Sequence, residues 1–444
     1  MRRSILIALI IVITGGIFLV LGIAFPVYMR FLPVLLLLFF LDGYLWSSVR
    51  RKFHDFHPVL RYTVLFLYWL PLILIICCII AGFFVPFAEW NIPTRTLVPG
   101  IILIILVSKI FPVVFLLLAD LLRLFLYGID SYTRGRGVHL SDHPRNGWIL
   151  ETGWVAGTLF LILLVTGMAW WNYDFSVRKQ EIILPELPAS FDGLKIIQIS
   201  DFHLGSWSCK SKLEEAVDII NALHPDLIFF TGDMANYTTL DVLPFEQTLA
   251  RLKAPLGIFA ILGNHDYSAY VKWPSEAAKL QDMADLKAFY HRLGWRLLLN
   301  EHSIVKRGTD SIAILGVQNW GKARRFQKLA DIPATQKGVE TMPVQLLLSH
   351  DPTFWDSIIS HQFRNIDITF SGHTHGLQFG IECCGMRWSP AQYMFKQWAG
   401  LYKRPVPGSH PQYIYVNRGL GSLGYPGRVG ILPEITVITL RRGK

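Results

Sequence analysis

Long stretches with almost no charged residues fill the first 175 residues of this 444-residue chain. Residues 4–29 carry no charge at all, a longer run than the apolar core of about 7–15 residues in a signal peptide. A helix of about 20 apolar residues crosses the hydrocarbon core of a bilayer. We therefore predict an α-helical membrane domain over residues 1–175, with five transmembrane helices at about 4–29, 31–49, 62–88, 96–119 and 152–172.

The composition agrees with a chain that is partly embedded in a lipid bilayer. Apolar residues make up 52% of the chain and charged residues only 17%. Typical soluble domains contain about 25% charged residues. The composition therefore excludes a disordered chain and argues against an enzyme that is wholly soluble.

The formal net charge of +10 is concentrated in loops rather than in a nucleic-acid groove. The loops 50–61 and 120–151 are rich in Arg and Lys, whereas the loop 89–95 contains one Glu and one Arg. Membrane proteins keep such basic loops in the cytoplasm. We therefore expect a cytoplasmic N-terminus and, after five spans, an extracytoplasmic domain over residues 176–444. No run of Lys and Arg is typical of nucleic-acid binding, so we expect no nucleic-acid partner.

Asp42 and Lys109 are the charged residues that lie well inside the predicted spans. A lone charge at mid-bilayer costs about 2.5–3.5 kcal/mol on insertion scales. Both spans run in the same direction, and the two residues lie at similar depths within them. We therefore predict that the second and fourth spans touch and that Asp42 and Lys109 pair. The alternatives are that each side chain faces water, or that Asp42 marks an early helix end.

Residues 176–444 alternate short apolar runs with polar loops, which predicts an α/β domain. Apolar runs of this length are typical of strands that are buried on both faces. An amphipathic helix at Leu213–Leu223 separates the first two runs, so the domain begins with a βαβ unit. We expect two layers of sheet, or one sheet between helices. The predicted strands are Leu194–Ser200, Leu227–Thr231, Ile258–Leu262, Ile312–Val317, Val344–Ser349, Ile366–Phe370, Tyr413–Val416 and Ile435–Leu440.

Polar side chains with metal-binding chemistry follow five of these strands. In chain order they are Asp201 and His203, then Asp233, then Asn264, His265 and Asp266, then His350, and finally His373 and His375. Ligands of α/β sheets collect beyond the carboxyl ends of strands, so we expect these side chains in one cleft. In an extended segment, Asp-x-His and His-x-His each place both side chains on one face.

The residue types indicate which ions such a cleft binds. Carboxylates, imidazoles and an Asn amide suit Mn, Fe, Zn or Ni, and the lack of thiolate ligands argues against a structural zinc site. Seven plausible ligands among these nine side chains are more than one ion needs. They predict two divalent metal ions that share a bridging carboxylate.

The ordered series Asp-x-His, Gly-Asp, Gly-Asn-His-Asp, a lone His after a strand, and Gly-His-Thr-His resembles the calcineurin-like metallophosphoesterases. The resemblance covers about residues 185–440 and, with the apolar N-terminal half, points to the membrane-anchored members of that family. It implies a β-sandwich flanked by helices. The second motif ends in Asn236, where many members have an acidic residue, and we expect this difference to affect the surroundings of the metals rather than their ligands.

The resemblance also implies a role for each candidate residue. Asp201, His203 and His375 would hold the first metal, Asn264, His350 and His373 the second, and Asp233 would bridge both. His265 would be the catalytic histidine rather than a ligand. Asp266 would orient the His265 ring, or serve only as a turn residue. Two metals would clamp a phosphoryl group and activate a bridging hydroxide for in-line attack on a phosphate ester.

The substrate is open at this stage. The segment 387–404 mixes aromatic residues and Met with Arg and Lys, which suits either a membrane interface or an ordinary surface loop. An interfacial segment would favour a membrane-associated or lipid-linked phosphate as substrate. The alternatives are a phosphodiesterase acting on soluble nucleotides, and a non-enzymatic membrane scaffold or transporter. Cys209 could pair with Cys383 or Cys384, or remain free.

Overall fold

The structure is a computed structural model that describes residues 32–135, 138–324, 326–383, 385–408 and 410–443. The described chain forms two compact units. The first comprises residues 32–87 and 101–162, and the second comprises residues 88–100 and those from 163 onwards. The predicted boundary at residue 175 thus falls inside the second unit. The predicted span 4–29 lies outside the described residues.

Four helices lie at the positions of the other four predicted spans. They are α1 (Leu32–Val49), α2 (Pro58–Phe84), α3 (Ile92–Arg134) and α4 (Gly147–Ala169). α2, α3 and α4 are long and apolar enough to cross a membrane, whereas α1 is a shorter apolar helix. The described residues therefore support three membrane-spanning helices, and the prediction of five is not confirmed.

The predicted ion pair between Asp42 and Lys109 is confirmed in the first unit. Lys109 Nζ donates to Asp42 Oδ1 at 3.0 Å and to Oδ2 at 3.1 Å. It also donates to the carbonyl oxygen of Tyr68 at 3.1 Å, and the Tyr68 hydroxyl donates to the carbonyl oxygen of Asp42 at 2.7 Å. The two charged side chains are only 4% and 14% exposed. The pair therefore ties α1, α2 and α3 together at a shared buried site.

The second unit carries two six-stranded mixed sheets. The first has the order β1-β14-β2-β3-β4-β5 and the second the order β12-β13-β9-β8-β7-β6, and β10 and β11 form a separate hairpin. The strands are β1 (Ser176–Leu184), β2 (Lys195–Ile199), β3 (Leu227–Phe230), β4 (Ile258–Ala260), β5 (Arg296–Leu297), β6 (Glu301–Arg307), β7 (Asp310–Gly316), β8 (Gln345–Leu348), β9 (Ile368–Ser371), β10 (Ile381–Cys383), β11 (Met386–Trp388), β12 (Gly400–Arg404), β13 (Gln412–Val416) and β14 (Glu434–Arg442).

All eight predicted strands are present, at slightly different bounds. The predicted βαβ unit is also present, because β2 and β3 pair in parallel and α5 (Lys210–Ala222) connects them. The remaining helices are α6 (Glu246–Leu249), α7 (Glu276–Arg292), α8 (Ile332–Gln336) and α9 (Ser360–Gln362).

Apolar side chains fill three layers of this unit. Residues of both sheets, such as Phe229 and Phe370, share one core between the sheets. The outer face of the first sheet packs against Leu213 and Val217 of α5 and Phe289 of α7. The outer face of the second sheet packs against a group of apolar side chains that includes Trp355. The fold is therefore a β-sandwich flanked by helices, in which the central strands are buried on both faces.

Strand register brings the ends of the motif-bearing strands level. Phe230 of β3 lies opposite Ile199 of β2 and Ala260 of β4, and all three strands are parallel. In the second sheet, Leu348 of β8 lies opposite Phe370 of parallel β9. The loops that follow these strands therefore leave each sheet at a common edge.

Cys209 and Cys383 are free thiols. The proposed pairing between these two residues is therefore wrong. Cys384, the other candidate partner, lies outside the described residues.

Removing one member of the Asp42–Lys109 pair should destabilise the protein more than replacing both. Lys109→Met leaves a buried carboxylate without its counter-charge, which typically costs about 3–5 kcal/mol, whereas an apolar replacement of a whole buried pair is often close to neutral. The double variant Asp42→Leu/Lys109→Met should thus unfold in detergent at a higher temperature than Lys109→Met alone. Arg134→Ala, which removes an exposed partner of Asp130 in α3, is the matched control. Equal melting temperatures for the single and double variants would contradict a contribution of the pair.

Candidate metal centre

The loops after β2, β3, β4, β8 and β9 bring the predicted site residues into one buried cluster. Six of the seven predicted ligands are buried, and His373 is partly exposed. Six of them form two groups in which ligand atoms lie within 4.8 Å of one another, Asp201–His203–His375 and Asp233–His350–His373, and a third group, His203–Asp233–His265, shares one residue with each. The sequence therefore identified side chains that the fold brings together across about 175 residues of chain.

In the first group, two imidazole rings and a carboxylate face one another. His375 Nε2 lies 3.1 Å from His203 Nε2 and 3.3 Å from Asp201 Oδ1. The two nitrogens can share a hydrogen bond, and together with the carboxylate oxygen they also form a set of ligand atoms that suits a divalent cation. The three residues are those expected to hold the first metal.

In the second group, the orientation of His350 is fixed by the backbone. Its Nδ1–H donates to the carbonyl oxygen of Thr231 at 2.8 Å, which leaves Nε2 as the ligand atom. His350 Nε2 lies 3.2 Å from Asn264 Oδ1 and 3.2 Å from His373 Nδ1. Three potential ligand atoms thus lie close together, and this set of two imidazole nitrogens and one amide oxygen fits a divalent metal ion.

Asp233 lies between the two groups. Its Oδ2 atom is 3.5 Å from His203 Nε2 and 3.2 Å from His350 Nε2, while its Oδ1 atom accepts the backbone N–H of His265 at 2.8 Å. Burial opposes ionisation, but the rings of His350 and His265 outweigh it and hold the pKa of Asp233 well below its usual value. Burial would lower the pKa of His350, but Asp233 outweighs burial and raises that pKa to about 10. This buried carboxylate demands positive charge, which metal ions carry.

The backbone at the ligand positions differs from the extended geometry that we expected. Five of the predicted ligands have a positive φ, from 45° to 71°, namely Asp201, His203, Asp233, His373 and His375. Residues other than glycine adopt this left-handed conformation rarely, and such residues cluster at functional sites. The paired ligands converge because of these tight turns and not because of strand alternation.

Neighbouring glycines allow this close approach. A Cβ atom on Gly263 would lie 2.7 Å from the carboxyl carbon of Asp233, and one on Gly372 would collide with the Asp201 carboxylate. Both glycines belong to the motifs identified in the sequence. Their lack of a side chain lets the loops pack directly against the carboxylates of Asp233 and Asp201.

The contacts of Asp266 favour the second of its two expected roles, that of a turn residue, over the orientation of His265. Its carboxylate accepts the backbone N–H groups of four residues at 2.8–3.1 Å, namely Asp233, Met234, Ala235 and Gly263. The Nδ1–H of His265 instead donates to the carbonyl oxygen of Asn236 at 2.9 Å. Asp266 therefore fixes the loops that follow β3 and β4, while a backbone carbonyl orients His265.

Two further residues complete the site and were missed in the sequence. The ring of Tyr270 stacks on His265 with centroids 4.2 Å apart, and its hydroxyl accepts a hydrogen bond from Asn264 Nδ2 at 2.8 Å. Asp351 Oδ2 lies 3.7 Å from His373 Nε2. Asp351 directly follows His350, which was an available signal, whereas nothing in a single sequence distinguishes Tyr270 from other loop aromatics.

Comparison with known proteins identifies similarity in both halves of the chain. The sequence model of the calcineurin-like phosphoesterase family matches residues 194–377. A second model, described as a probable calcineurin-like phosphoesterase transmembrane domain, matches residues 29–170.

Three similar proteins illustrate this relationship. A transmembrane protein with metallophosphoesterase domain from Danio rerio is 29% identical over 63% of this chain and 61% of its own length, so this chain spans less than two thirds of that protein. An uncharacterized metallophosphoesterase of Aquifex aeolicus is 31% identical over 61% of this chain and 93% of its own. The UDP-2,3-diacylglucosamine pyrophosphatase LpxG of Chlamydia trachomatis is 28% identical over 54% and 81%, respectively.

Replacing Asp233 should lower the metal content of both groups of candidate ligands. In Asp233→Asn, both groups of ligands lose their common anion, so we expect the purified full-length protein to retain less metal than any other single-ligand variant. His291→Ala, on the exposed surface of α7, is the control and should keep the wild-type metal content. Elemental analysis that finds two metals per chain in Asp233→Asn would contradict the bridging role.

His265→Ala separates the catalytic role of this residue from a role as ligand. His265 also lies within 4.8 Å of His203 and Asp233, so geometry alone allows either role. We expect the variant to keep its metals and to lose about 10²–10⁴-fold in turnover, the usual value of a positioned proton donor. Loss of metal from His265→Ala would make this residue a ligand.

Proposed function

Because this chain belongs to the calcineurin-like phosphoesterase family, we propose that it hydrolyses a phosphate ester carried by a membrane lipid. Family membership makes the protein a metallophosphoesterase, that is, a hydrolase of phosphate esters. The transmembrane family match and the apolar helices make it a membrane protein. The lipid-linked nature of the substrate is the part that we propose, and the wall of the active-site cavity carries it.

The cavity over the candidate ligands is lined by both polar and apolar residues. Its volume is about 350 Å³. The polar residues include candidate ligands and His265, and the apolar residues, which we call the apolar wall, are Tyr270, Phe326, Leu377, Met394, Phe395 and Leu423. Met394 is 61% exposed, and neighbouring Tyr393 is 77% exposed. A nucleotide base could stack on the aromatic members of this wall, whereas the aliphatic and thioether side chains of Leu377, Met394 and Leu423 suit the glycerol and acyl region of a lipid.

The same cavity is connected to the end of an apolar helix within the second unit. Gln378 lines the cavity, and its Nε2 atom donates to the carbonyl oxygens of Tyr425 and Gly427 at 2.6 and 2.8 Å. The Tyr425 hydroxyl donates to the carbonyl oxygen of Leu164, and the N–H of Arg428 donates to that of Gly167 at 3.1 Å. Leu164 and Gly167 lie in the last turns of α4, so one loop joins the cavity wall to the end of a membrane-capable helix.

The segment 387–404, which suggested an interfacial element, supports the same proposal. It begins within β11 of the exposed hairpin, where Ile381, Met386 and Trp388 present apolar surface to solvent. An apolar surface beside a cavity is typical of sites that receive a ligand from a membrane. The LpxG relative is named as a pyrophosphatase of UDP-2,3-diacylglucosamine, a diacylated sugar nucleotide, which is a further argument for a lipid-linked phosphate.

The residues of the site have distinct roles in the proposed reaction. Asp201, His203 and His375 would hold one divalent ion, Asn264, His350 and His373 a second, with Asp233 between them, and Mn, Fe, Zn or Ni suits this set. Bound ions would supply Lewis acidity and a water of lowered pKa. The hydrogen bond from His265 Nδ1–H to the Asn236 carbonyl leaves Nε2 for the substrate; in the doubly protonated ring Nε2–H would donate its proton to the leaving oxygen, and the ring would keep the proton on Nδ1.

We also propose that the active site lies outside the cytoplasm, from the distribution of basic loops. An export-dependent reporter fused after Lys444 should be active, and a cytoplasm-dependent reporter inserted between α3 and α4 at residues 138–146 should be active as well. The reverse pattern would place the catalytic unit in the cytoplasm and contradict the positive-inside argument.

The lipid proposal is tested by changing the apolar wall without touching the metal ligands. Met394→Ser/Leu423→Ser removes two apolar contacts, each worth about 1.5 kcal/mol or more when buried by a ligand. We expect kcat/KM to fall at least tenfold for phosphorylated lipids in mixed micelles and to change little for 4-nitrophenyl phosphate with Mn²⁺. Leu280→Ser, an exposed leucine of α7, is the matched control.

Two outcomes would contradict the lipid proposal. The first is an equal loss of activity toward the lipid and the small ester in the wall variant. The second is a higher kcat/KM of the wild-type enzyme for nucleotides than for phosphorylated lipids, which would favour the soluble-substrate alternative.

A further inference from the structure

Arg95 is a buried arginine in the first turn of α3. Its side chain is 4% exposed, and its partner Asp241 is 2% exposed. Arg95 belongs to the same compact unit as the catalytic motifs, although its helix continues into an apolar span from residue 101. None of the site motifs includes Arg95 or Asp241.

The guanidinium group of Arg95 makes three kinds of contact. One nitrogen, Nη2, forms the ion pair with Asp241 and also donates to the carbonyl oxygen of Gly205 at 3.4 Å. The other, Nη1, donates to the carbonyl oxygen of Ala88 at 2.7 Å. Thr96 Oγ1 donates to the same Gly205 carbonyl at 3.3 Å. The first turn of α3 is therefore bonded to the loop that begins at the predicted ligand His203.

Asp241 transmits this contact to the loop after β3. Its Oδ2 atom accepts the backbone N–H groups of Asn236 and Tyr237 at 3.1 and 2.8 Å. The carbonyl oxygen of Asn236 accepts the Nδ1–H of His265 at 2.9 Å. The side chain of His265 is therefore oriented by a carbonyl group whose own peptide is held by Asp241, and Asp241 is held by Arg95.

We propose that Arg95 is a positioning residue, which acts through Asp241 and the Asn236 carbonyl to fix the direction of the His265 ring. This inference rests on the proposed role of His265 as proton donor. A hydrogen bond between Nδ1 and a backbone carbonyl fixes the orientation of an imidazole ring and leaves Nε2 for other contacts. The first turn of a membrane helix thereby contributes to the geometry of the phosphate-hydrolysing site.

Simple stabilisation is a weak explanation for this arrangement. Two buried charges lose their hydration, so a buried ion pair often contributes no more than apolar residues of the same size. The fork of the Arg95 guanidinium reaches Asp241, Gly205 and Ala88 together, whereas the single ammonium group of a lysine has no such fixed fork. The arrangement therefore restricts the orientation of the loop more than it adds to the free energy of unfolding.

The test uses Arg95→Lys in the full-length protein with Mn²⁺, because lysine keeps the positive charge beside Asp241. Turnover is measured on phenyl phosphate and on 4-nitrophenyl phosphate, since phenol is the poorer leaving group and depends more on proton donation. We expect unchanged metal content, a KM within about twofold of the wild type, and a kcat about 10–100-fold lower on phenyl phosphate, as for residues that orient a catalytic group indirectly. The fall should be smaller on 4-nitrophenyl phosphate.

A double-mutant cycle with His265→Ala then identifies the route of the effect. If Arg95 acts through His265, Arg95→Lys should reduce kcat in the wild-type background and have little further effect in His265→Ala. Arg292→Lys, which alters an exposed two-pronged pair with Glu246, is the control and should leave kcat unchanged in both backgrounds.

Three results would overturn the proposal; the first two have one meaning and the third another. Equal losses caused by Arg95→Lys in both backgrounds, or equal losses on both esters, would show that Arg95 acts on the structure as a whole and would leave the proposed function intact. Wild-type turnover of phenyl phosphate by His265→Ala would remove the role of His265 and, with it, both this inference and the proposed proton transfer.

Discussion

The buried carboxylate of Asp233 is the constraint on which the active site depends. An anion out of contact with water needs positive charge nearby, and imidazoles from both sheets surround it. Its backbone is held by Asp266, whose carboxylate also accepts the N–H of Gly263. The loops that follow β3 and β4 are thus held around the carboxylate of Asp233. This carboxylate lies between the two groups of candidate ligands.

This arrangement explains why so many ligand residues adopt a left-handed backbone. Successive side chains of a strand point to opposite faces of the sheet. Two ligands from one short segment therefore reach the same ion only if the chain changes direction sharply between them. The turns at Asp201, His203, His373 and His375 supply that change. Their conformational cost is offset by hydrogen bonds such as those from the His373 N–H to both oxygens of Asp201, at 3.1 and 3.0 Å.

Much of the molecule could be predicted from sequence because its signals are local. Runs of apolar residues predicted the central strands, and polar residues at their ends predicted the side chains that the fold brings into one cluster. The depth of Asp42 and Lys109 in their spans gave their pairing. Edge strands such as β1 and β6 were missed because their mixed burial gives no continuous apolar run. The true partners of Asp266 and the stacking of Tyr270 depend on loop conformations that no sequence period encodes.

The membrane and catalytic parts of the chain are interleaved rather than joined end to end. Residues 88–100, which include the first turns of α3, and the last turns of α4 belong to the catalytic unit. Arg95 contacts the loops beside His203 and Asn236, while Gly167 binds the loop beside the cavity. This interleaving gives a physical reason for several helices where one would suffice as an anchor.

The central claim is that two metal ions share Asp233 in the wild-type protein. Anomalous diffraction from crystals of the full-length protein loaded with Mn²⁺ tests it most directly. The account predicts two peaks about 3.5–4 Å apart, one coordinated by Asp201, His203 and His375 and the other by Asn264, His350 and His373, with Asp233 bound to both. A single peak, or a peak coordinated by His265, would contradict it.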